Sequence, residues 1–238
     1  MVRRFKIADV VFDAEYTYAY TDHVLRNYRH QGQSAEFLVK ITDSDIQKEN
    51  ELSGGEFEKP YLESLCVYRK LLEKLLDKGA IVFHSSAVAV DGKAYLFTAP
   101  SGTGKSTHVA LWKKLFGERA VVINDDKPII RLVDGEFYVY GTPWNGKHDL
   151  DTNCKAKLKA ICKLERGEKN KIEKMQTAKM LPTLLAQTLR PSEAVSYDKL
   201  LDIIGKILTQ VELYRLECNV DISSAELSFK VMSGEGKV

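Results

Sequence analysis

The sequence predicts an α/β fold in which mixed, largely antiparallel sheets surround a glycine-rich loop and the helix that follows it. Three observations carry this. An apolar run, Ala94-Tyr95-Leu96-Phe97, leads into Ala99-Pro100-Ser101-Gly102-Thr103-Gly104-Lys105-Ser106-Thr107, and residues 108–116 continue as an amphipathic helix. The strand before the loop is itself preceded by apolar residues 80–90, across an Asp91-Gly92 turn that signals a hairpin. A second Asp-Gly, Asp134-Gly135, joins residues 127–133 to residues 136–140 in the same way. Strands joined by such tight turns are antiparallel, because parallel neighbours need a crossover between them.

The 238 residues read as a single domain, with residues 1–58 a β-rich N-terminal layer and residues 80–235 the core that carries the loop. A hydrophobic content of 44% is enough to build that core. Lys and Arg number 35 against 33 Asp and Glu, a net charge of +2 that argues against nucleic acid or an acidic membrane surface as partner. The longest apolar runs fall short of the ~20 residues of a membrane helix. The first residues, Met1-Val2-Arg3-Arg4-Phe5-Lys6, lack the apolar stretch of a secretory signal, so the expected compartment is cytoplasmic. Cys66, Cys154, Cys162 and Cys218 are scattered without a Cys-x-x-Cys pair and read as reduced, small hydrophobes.

In chain order, residues 5–12 and 35–41 are expected strands around a tyrosine-rich segment. Its tyrosines either pack on a strand face or line a groove. Residues 47–55 read as a flexible polar loop. Pro60 opens a helix that Gly79 closes. After the glycine-rich loop and its helix, residues 119–123 form a short buried strand ending in Asn124-Asp125-Asp126. An acidic pair at that place has no packing purpose. Residues 141–148 form a turn-rich loop with an exposed Trp144, which either stacks on a ligand or plugs the core. Residues 158–164 and 213–218 are expected strands, and 180–189 and 197–211 helices. Asp221 is expected to cap a last helix over 225–232, and the tail from Ser233 to fray.

The loop carries the chemistry. Gly102 and Gly104 permit the backbone to turn its N–H groups inward, and the following helix adds its N-terminus, which together make an anion nest. Lys105 sets a cation against the outer phosphates and Ser106 offers a hydroxyl to magnesium. The pattern ordinarily starts with glycine, where this chain has Ala99. His84 precedes Lys105 by 21 residues and Asp125 follows it by 20.

This spacing resembles that of the bacterial HPr kinase/phosphorylase catalytic domain and its distant relative, ATP-dependent phosphoenolpyruvate carboxykinase. The matching residues are His84-Ser85-Ser86-Ala87, Ser101 through Thr107, and Asp125-Asp126. The likeness is firm over about residues 80–135. It continues loosely through Gly141-Thr142-Pro143-Trp144 and Leu164-Glu165-Arg166-Gly167, and does not extend to the first 60 or so residues.

The resemblance implies an ATP-dependent kinase that transfers the γ-phosphoryl group to a hydroxyl of a protein serine, a peptide or a small molecule. It implies ATP and Mg2+ as cofactors. Ser101, Gly102, Thr103, Gly104, Lys105, Ser106 and Thr107 would bind the nucleotide, with Thr107 in a backbone role. Asp125 would be the base, and Asp126 with Ser106 would hold the metal, the reverse order of the aspartates staying open. His84 would bond the base or meet a second metal. Lys147, Arg166 and Arg190 are candidate cations for the transition state, or surface charges. Two other readings stand beside this one: a non-catalytic nucleotide-binding sensor or docking module, and a bifunctional kinase/phosphorylase that uses the same residues in both directions. A carboxykinase fits less well, because the chain is much shorter than those enzymes. Homo-oligomerisation is left open.

Overall fold

The structure, a computed structural model, describes every residue except Glu56, Lys147, Ser192, Glu193 and residues 235–238, and only the backbone of Ala194 and Val195. The chain divides into two compact units, Met1–Lys78 and Gly79–Val238.

In the first unit, β1 (Val2–Ile7) and β2 (Val10–Glu15) form an antiparallel hairpin, and β3 (Leu38–Lys40) adds in parallel to β2. The single strand expected over residues 5–12 is thus a turn and two strand ends. Ala8 and Asp9 both take positive φ (52° and 60°), the conformation a two-residue hairpin turn demands. Folding back sets Phe5 against Phe12, with ring centroids 5.9 Å apart.

Helices α1 (Ala19–Val24), α2 (Asp43–Leu52) and α3 (Lys59–Leu76) complete this unit. The predicted loop over 47–55 is mostly α2. Its nucleus lies upstream, where Thr42 and Asp45 form a capping box that satisfies two N–H groups at the helix start. Buried Glu49 then meets Arg69, which gives the polar stretch a partner. On α3, buried Glu63 accepts hydrogen bonds from Thr17 N (2.6 Å), Tyr18 N (3.0 Å) and Thr21 Oγ1 (2.5 Å). Those bonds pin the start of the tyrosine-rich segment, whose Tyr16 and Tyr28 are core residues.

The second unit comprises β4 (Ala80–Val82), β5 (Ser85–Val90), β6 (Lys93–Thr98), α4 (Lys105–Phe116), β7 (Ala120–Asp126), β8 (Ile129–Val133) and β9 (Glu136–Tyr140). It continues with β10 (Lys155–Arg166), β11 (Lys171–Lys174), α5 (Thr177–Gln187), α6 (Ala194–Gln210), β12 (Glu212–Cys218) and α7 (Ile222–Ser233). The sheet runs β4-β8-β9-β10-β6-β5-β7, with β12 also on β10 and β11 on β12. Both Asp-Gly hairpins form as the sequence predicts. Asp221 caps α7 by accepting from Ser223 N.

Three features go beyond the sequence reading. Residues 80–90 break at Phe83-His84, because β4 pairs with β8 whereas β5 pairs with β6 and β7. Strand β10 lies parallel to both β6 and β12, so the loop strand has one antiparallel neighbour and one parallel neighbour. The charged stretch after residue 164 continues as strand to Arg166 and then returns as β11, antiparallel to β12.

One face of the sheet is covered by α4 and α7. Trp112 of α4 packs on Tyr95 (centroids 4.9 Å apart) and on Phe229 of α7 (5.5 Å), in a cluster with Val88, Phe97 and Phe116. Among the described residues no helix is long and apolar enough to cross a membrane.

Candidate functional site

Strand direction brings the candidate residues to one edge. Because β6 opposes β5 and β5 opposes β7, strands β6 and β7 end where β5 begins. Strands β10 and β12 run parallel to β6 and end at the same edge. That edge therefore carries, in lateral order, Asp125-Asp126, His84 to Ser86, the glycine-rich loop, Arg166 and Cys218. Ligands of α/β sheets sit at such carboxyl ends.

The loop crosses from β6 to α4 with Gly102 at φ 77° and Gly104 at φ 120°, dihedrals that residues with a Cβ avoid. Gly104 is the N-cap of α4 and brings no side chain to the helix's first N–H groups. Ala99 is fully buried in the apolar cluster, so its methyl is a core contact. Lys105 is buried, and its Nζ donates to Ala99 O at 3.0 Å. Burial lowers the pKa of this ammonium, and Asp126 and Asp125 oppose that shift. On the loop's outer side Arg166 donates to the carbonyls of Thr103 (Nε, 3.2 Å) and Gly102 (Nη2).

The aspartates occupy different environments. Asp125 is buried. Its Oδ1 accepts the hydroxyl of Ser86, and its Oδ2, also buried, has no hydrogen-bond partner among the described residues. Asp126 is partly exposed, with Oδ1 3.1 Å from His84 Nε2 and Oδ2 bonded to Lys127 Nζ. Burial pushes the Asp126 carboxyl up, but the bonds from His84 and Lys127 outweigh it and hold the pKa at about 2.

Backbone bonds fix these side chains. His84 N donates to Gln187 O at the end of α5 (2.7 Å), and His84 O accepts from Thr98 Oγ1 (3.0 Å). Fully buried Asn124 accepts from the N–H groups of Asp126 (2.9 Å) and Lys127 (2.7 Å), and donates to Thr142 O (2.9 Å). The segment after β9 wraps the outer edge of β7, where Asp125 N donates to Leu150 O and Thr152 N to Ile123 O. It passes so close that a Cβ on Gly141 would lie 1.9 Å from Thr152 O and 2.9 Å from Ile123 O.

Of the residues singled out in the sequence, His84, Lys105, Asp125 and Asp126 gather here, with Ser106 half-buried at the start of α4. Ser101 and Thr107 are exposed at the two ends of the loop. Trp144 is buried, contrary to the exposed reading, and its carbonyl accepts from Thr142 Oγ1 at 3.3 Å. Arg166 braces the loop's carbonyls, Arg190 is exposed, and Lys147 lies outside the described residues. Ser86 and Lys127, which bond to Asp125 and Asp126, and Asn124, which accepts from the N–H groups of Asp126 and Lys127, were given no role in the sequence reading. The signal for Asn124 was its polarity directly after an apolar strand.

Among the described residues no group of three or more His, Cys, Asp or Glu is placed to hold a metal ion by itself. The donors present are the Asp125 oxygen without a partner among the described residues and the Ser106 hydroxyl. Such a set suits magnesium, which takes one or two protein oxygens and completes its shell from phosphates and water.

No protein-family model matches the chain. No curated protein matches it. Among solved structures, the HPr(Ser) kinase/phosphatase from Coxiella burnetii aligns with 54% of this chain and 92% of its own, at 11% identity and a TM-score of 0.29. A likeness that distant assigns no residue a role.

Proposed function

We propose that the chain is a nucleotide-dependent phosphotransferase that uses ATP and magnesium to phosphorylate a hydroxyl. The observation that carries this reading is the buried Oδ2 of Asp125, without a hydrogen-bond partner among the described residues, at the sheet edge that also bears Lys105 and the glycine-rich loop. A buried carboxylate oxygen without a partner is costly, and a cation brought in with the phosphates offsets that cost.

The loop N–H groups and the start of α4 bind the β- and γ-phosphates, and Lys105 neutralises their charge. Asp125 and Ser106 would hold magnesium. Bound there, the ion would offset charge on the β- and γ-oxygens. The acceptor oxygen bonds to the γ-phosphorus as the bond to the β,γ-bridging oxygen breaks, and ADP leaves. Asp126, oriented by His84 and Lys127, takes the hydroxyl proton. Its low pKa is no obstacle, because its first role is to orient the hydroxyl by accepting its hydrogen bond, and the proton follows as the attacking oxygen becomes acidic in the transition state. This order of the aspartates reverses the one the resemblance implies. It rests on their environments: Asp125 is buried and fixed, and Asp126 is partly exposed toward an incoming acceptor.

The test is transfer of γ-labelled phosphate from ATP in a fractionated cell lysate, with and without the protein. Label on a protein, a peptide or a small molecule supports the reading and identifies the acceptor class. Absence of label together with absence of MgATP binding overturns it.

A further inference from the structure

We infer that Lys127 is a second phosphate-binding cation, whose ammonium moves from Asp126 to the γ-phosphate when MgATP enters the glycine-rich loop. The inference rests on the phosphate-loop reading above and adds to it a residue outside the loop. Lys127 follows β7 directly, and its Nζ bonds Asp126 Oδ2. Successive side chains of an extended strand point to opposite faces, so chain neighbours do not ordinarily pair. Here Asn124 bends the chain. Its Oδ1 accepts from Asp126 N (2.9 Å) and Lys127 N (2.7 Å), and the Lys127 carbonyl accepts from Thr142 Oγ1 at 2.9 Å. Asn124 and Thr142 are fully buried, so the backbone of Lys127 is fixed, while its side chain is 33% exposed and reaches back to Asp126.

Both oxygens of Asp126 are thereby engaged. His84 Nε2 lies 3.1 Å from Oδ1, and the Lys127 ammonium holds Oδ2. An acceptor hydroxyl that bonds this carboxylate competes with both. His84 is the anchored partner, since its N–H donates to Gln187 O and its carbonyl accepts from Thr98 Oγ1. An imidazole turns about two bonds only, whereas Lys127 carries a flexible four-carbon stem. The charge it would move to is near. Lys105 faces the outer phosphates, and the field of Asp126 reaches its ammonium. A γ-phosphate carries more negative charge than a single carboxylate and attracts an ammonium more strongly. Arg166, on the other side of the loop, is committed to the carbonyls of Gly102 and Thr103. Lys127 therefore supplies positive charge on the side where the γ-phosphate reacts, and leaves Asp126 to His84. A binding order follows. Until nucleotide draws the ammonium away, the base is occupied, so nucleotide precedes the acceptor.

The experiment measures binding of ADP and of the β,γ-imido analogue of ATP, each with magnesium, by calorimetry on the full chain. The two ligands share the other loop contacts and differ in the γ-phosphate. Lys127→Met should weaken the ATP analogue about tenfold and leave ADP within about twofold of wild type. Lys127→Arg keeps the charge and should bind the analogue within about threefold of wild type. Asp126→Asn weakens the hold on the ammonium and should tighten the analogue about threefold. Adding Lys127→Met in that background should again cost about tenfold for the analogue, in a double-mutant cycle. If it changes nothing there, Lys127 acts only by neutralising Asp126 and the inference falls. Equal losses for ADP and the analogue in Lys127→Met, or no loss for either, overturn it as well. Each of these results leaves the phosphate loop standing, because wild type still binds ADP. Wild type that binds neither ligand overturns the phosphate-loop reading and this inference with it.

Discussion

Ser86 on β5 gives its hydroxyl to one oxygen of Asp125 on β7, while the other oxygen of that buried carboxylate meets no partner among the described residues. The pair sits at directly opposed positions of two antiparallel strands, so the bond is set by sheet register. Ser86→Ala would leave the second oxygen unpaired as well. The expected cost is about 1–3 kcal/mol, read by denaturant unfolding in the absence of ligand. An unchanged midpoint and slope would show that Ser86 does not support this carboxylate.

Lys105 separates function from stability. Burial disfavours its charged form, so Lys105→Met should fold at least as stably as wild type. The same variant should lose MgATP binding, measured by calorimetry. Retained affinity would mean that the phosphates are not held by this loop.

Asp126→Asn should keep MgATP binding within a few-fold and reduce phosphoryl transfer by about 10²–10⁴. It should also change the response to acid. Asp126 titrates at about 2 in the fold, below the usual carboxylate range, so it contributes stability above that range and loses it as pH falls toward 2. Between pH 5 and pH 2, wild type should therefore lose stability more steeply than Asp126→Asn. Parallel acid-unfolding curves would mean that the pairing with His84 and Lys127 adds nothing.

A second pH effect comes from α4. His108 is buried, and burial pushes its pKa down to about 4. It lies 3.1 Å from Ser228 Oγ and accepts from Trp112 Nε1 at 3.2 Å. The unfolded chain binds a proton on this imidazole at higher pH than the fold does, so stability should fall as pH drops from about 6.5 toward 4. His108→Gln can still accept a hydrogen bond and does not titrate, so its thermal midpoint should be flatter over that range. An equal slope in both proteins would assign the effect to other groups.

The parts of the fold legible in the sequence were those written in local chemistry. Asp91-Gly92 and Asp134-Gly135 announce their hairpins, and two glycines before Lys105 announce the loop. The parts that were not legible depend on partners far along the chain. Nothing local tells that residues 80–90 must break so that His84 can bond the end of α5, or that β10 joins β6 in parallel. Trp144 read as exposed because its neighbours are turn residues, yet the wrap around β7 buries it. In the candidate site, His84 and the aspartates were visible as residue types at a spacing. The difference between Asp125 and Asp126 arises from Ser86, His84 and Lys127, and so appears only once the strands are paired.

Gly141 touches no proposed ligand, yet the chain leaves it no room for a single methyl group. The segment it begins holds β7 from the outside, and Asn124 is bonded to the next residue along. A saturation library of this protein, selected for activity, should therefore contain a silent partner of the reaction. Gly141 should tolerate replacement as poorly as the aspartates themselves. Its variants should fail by misplacing Asp125 and Asp126 and not by losing them.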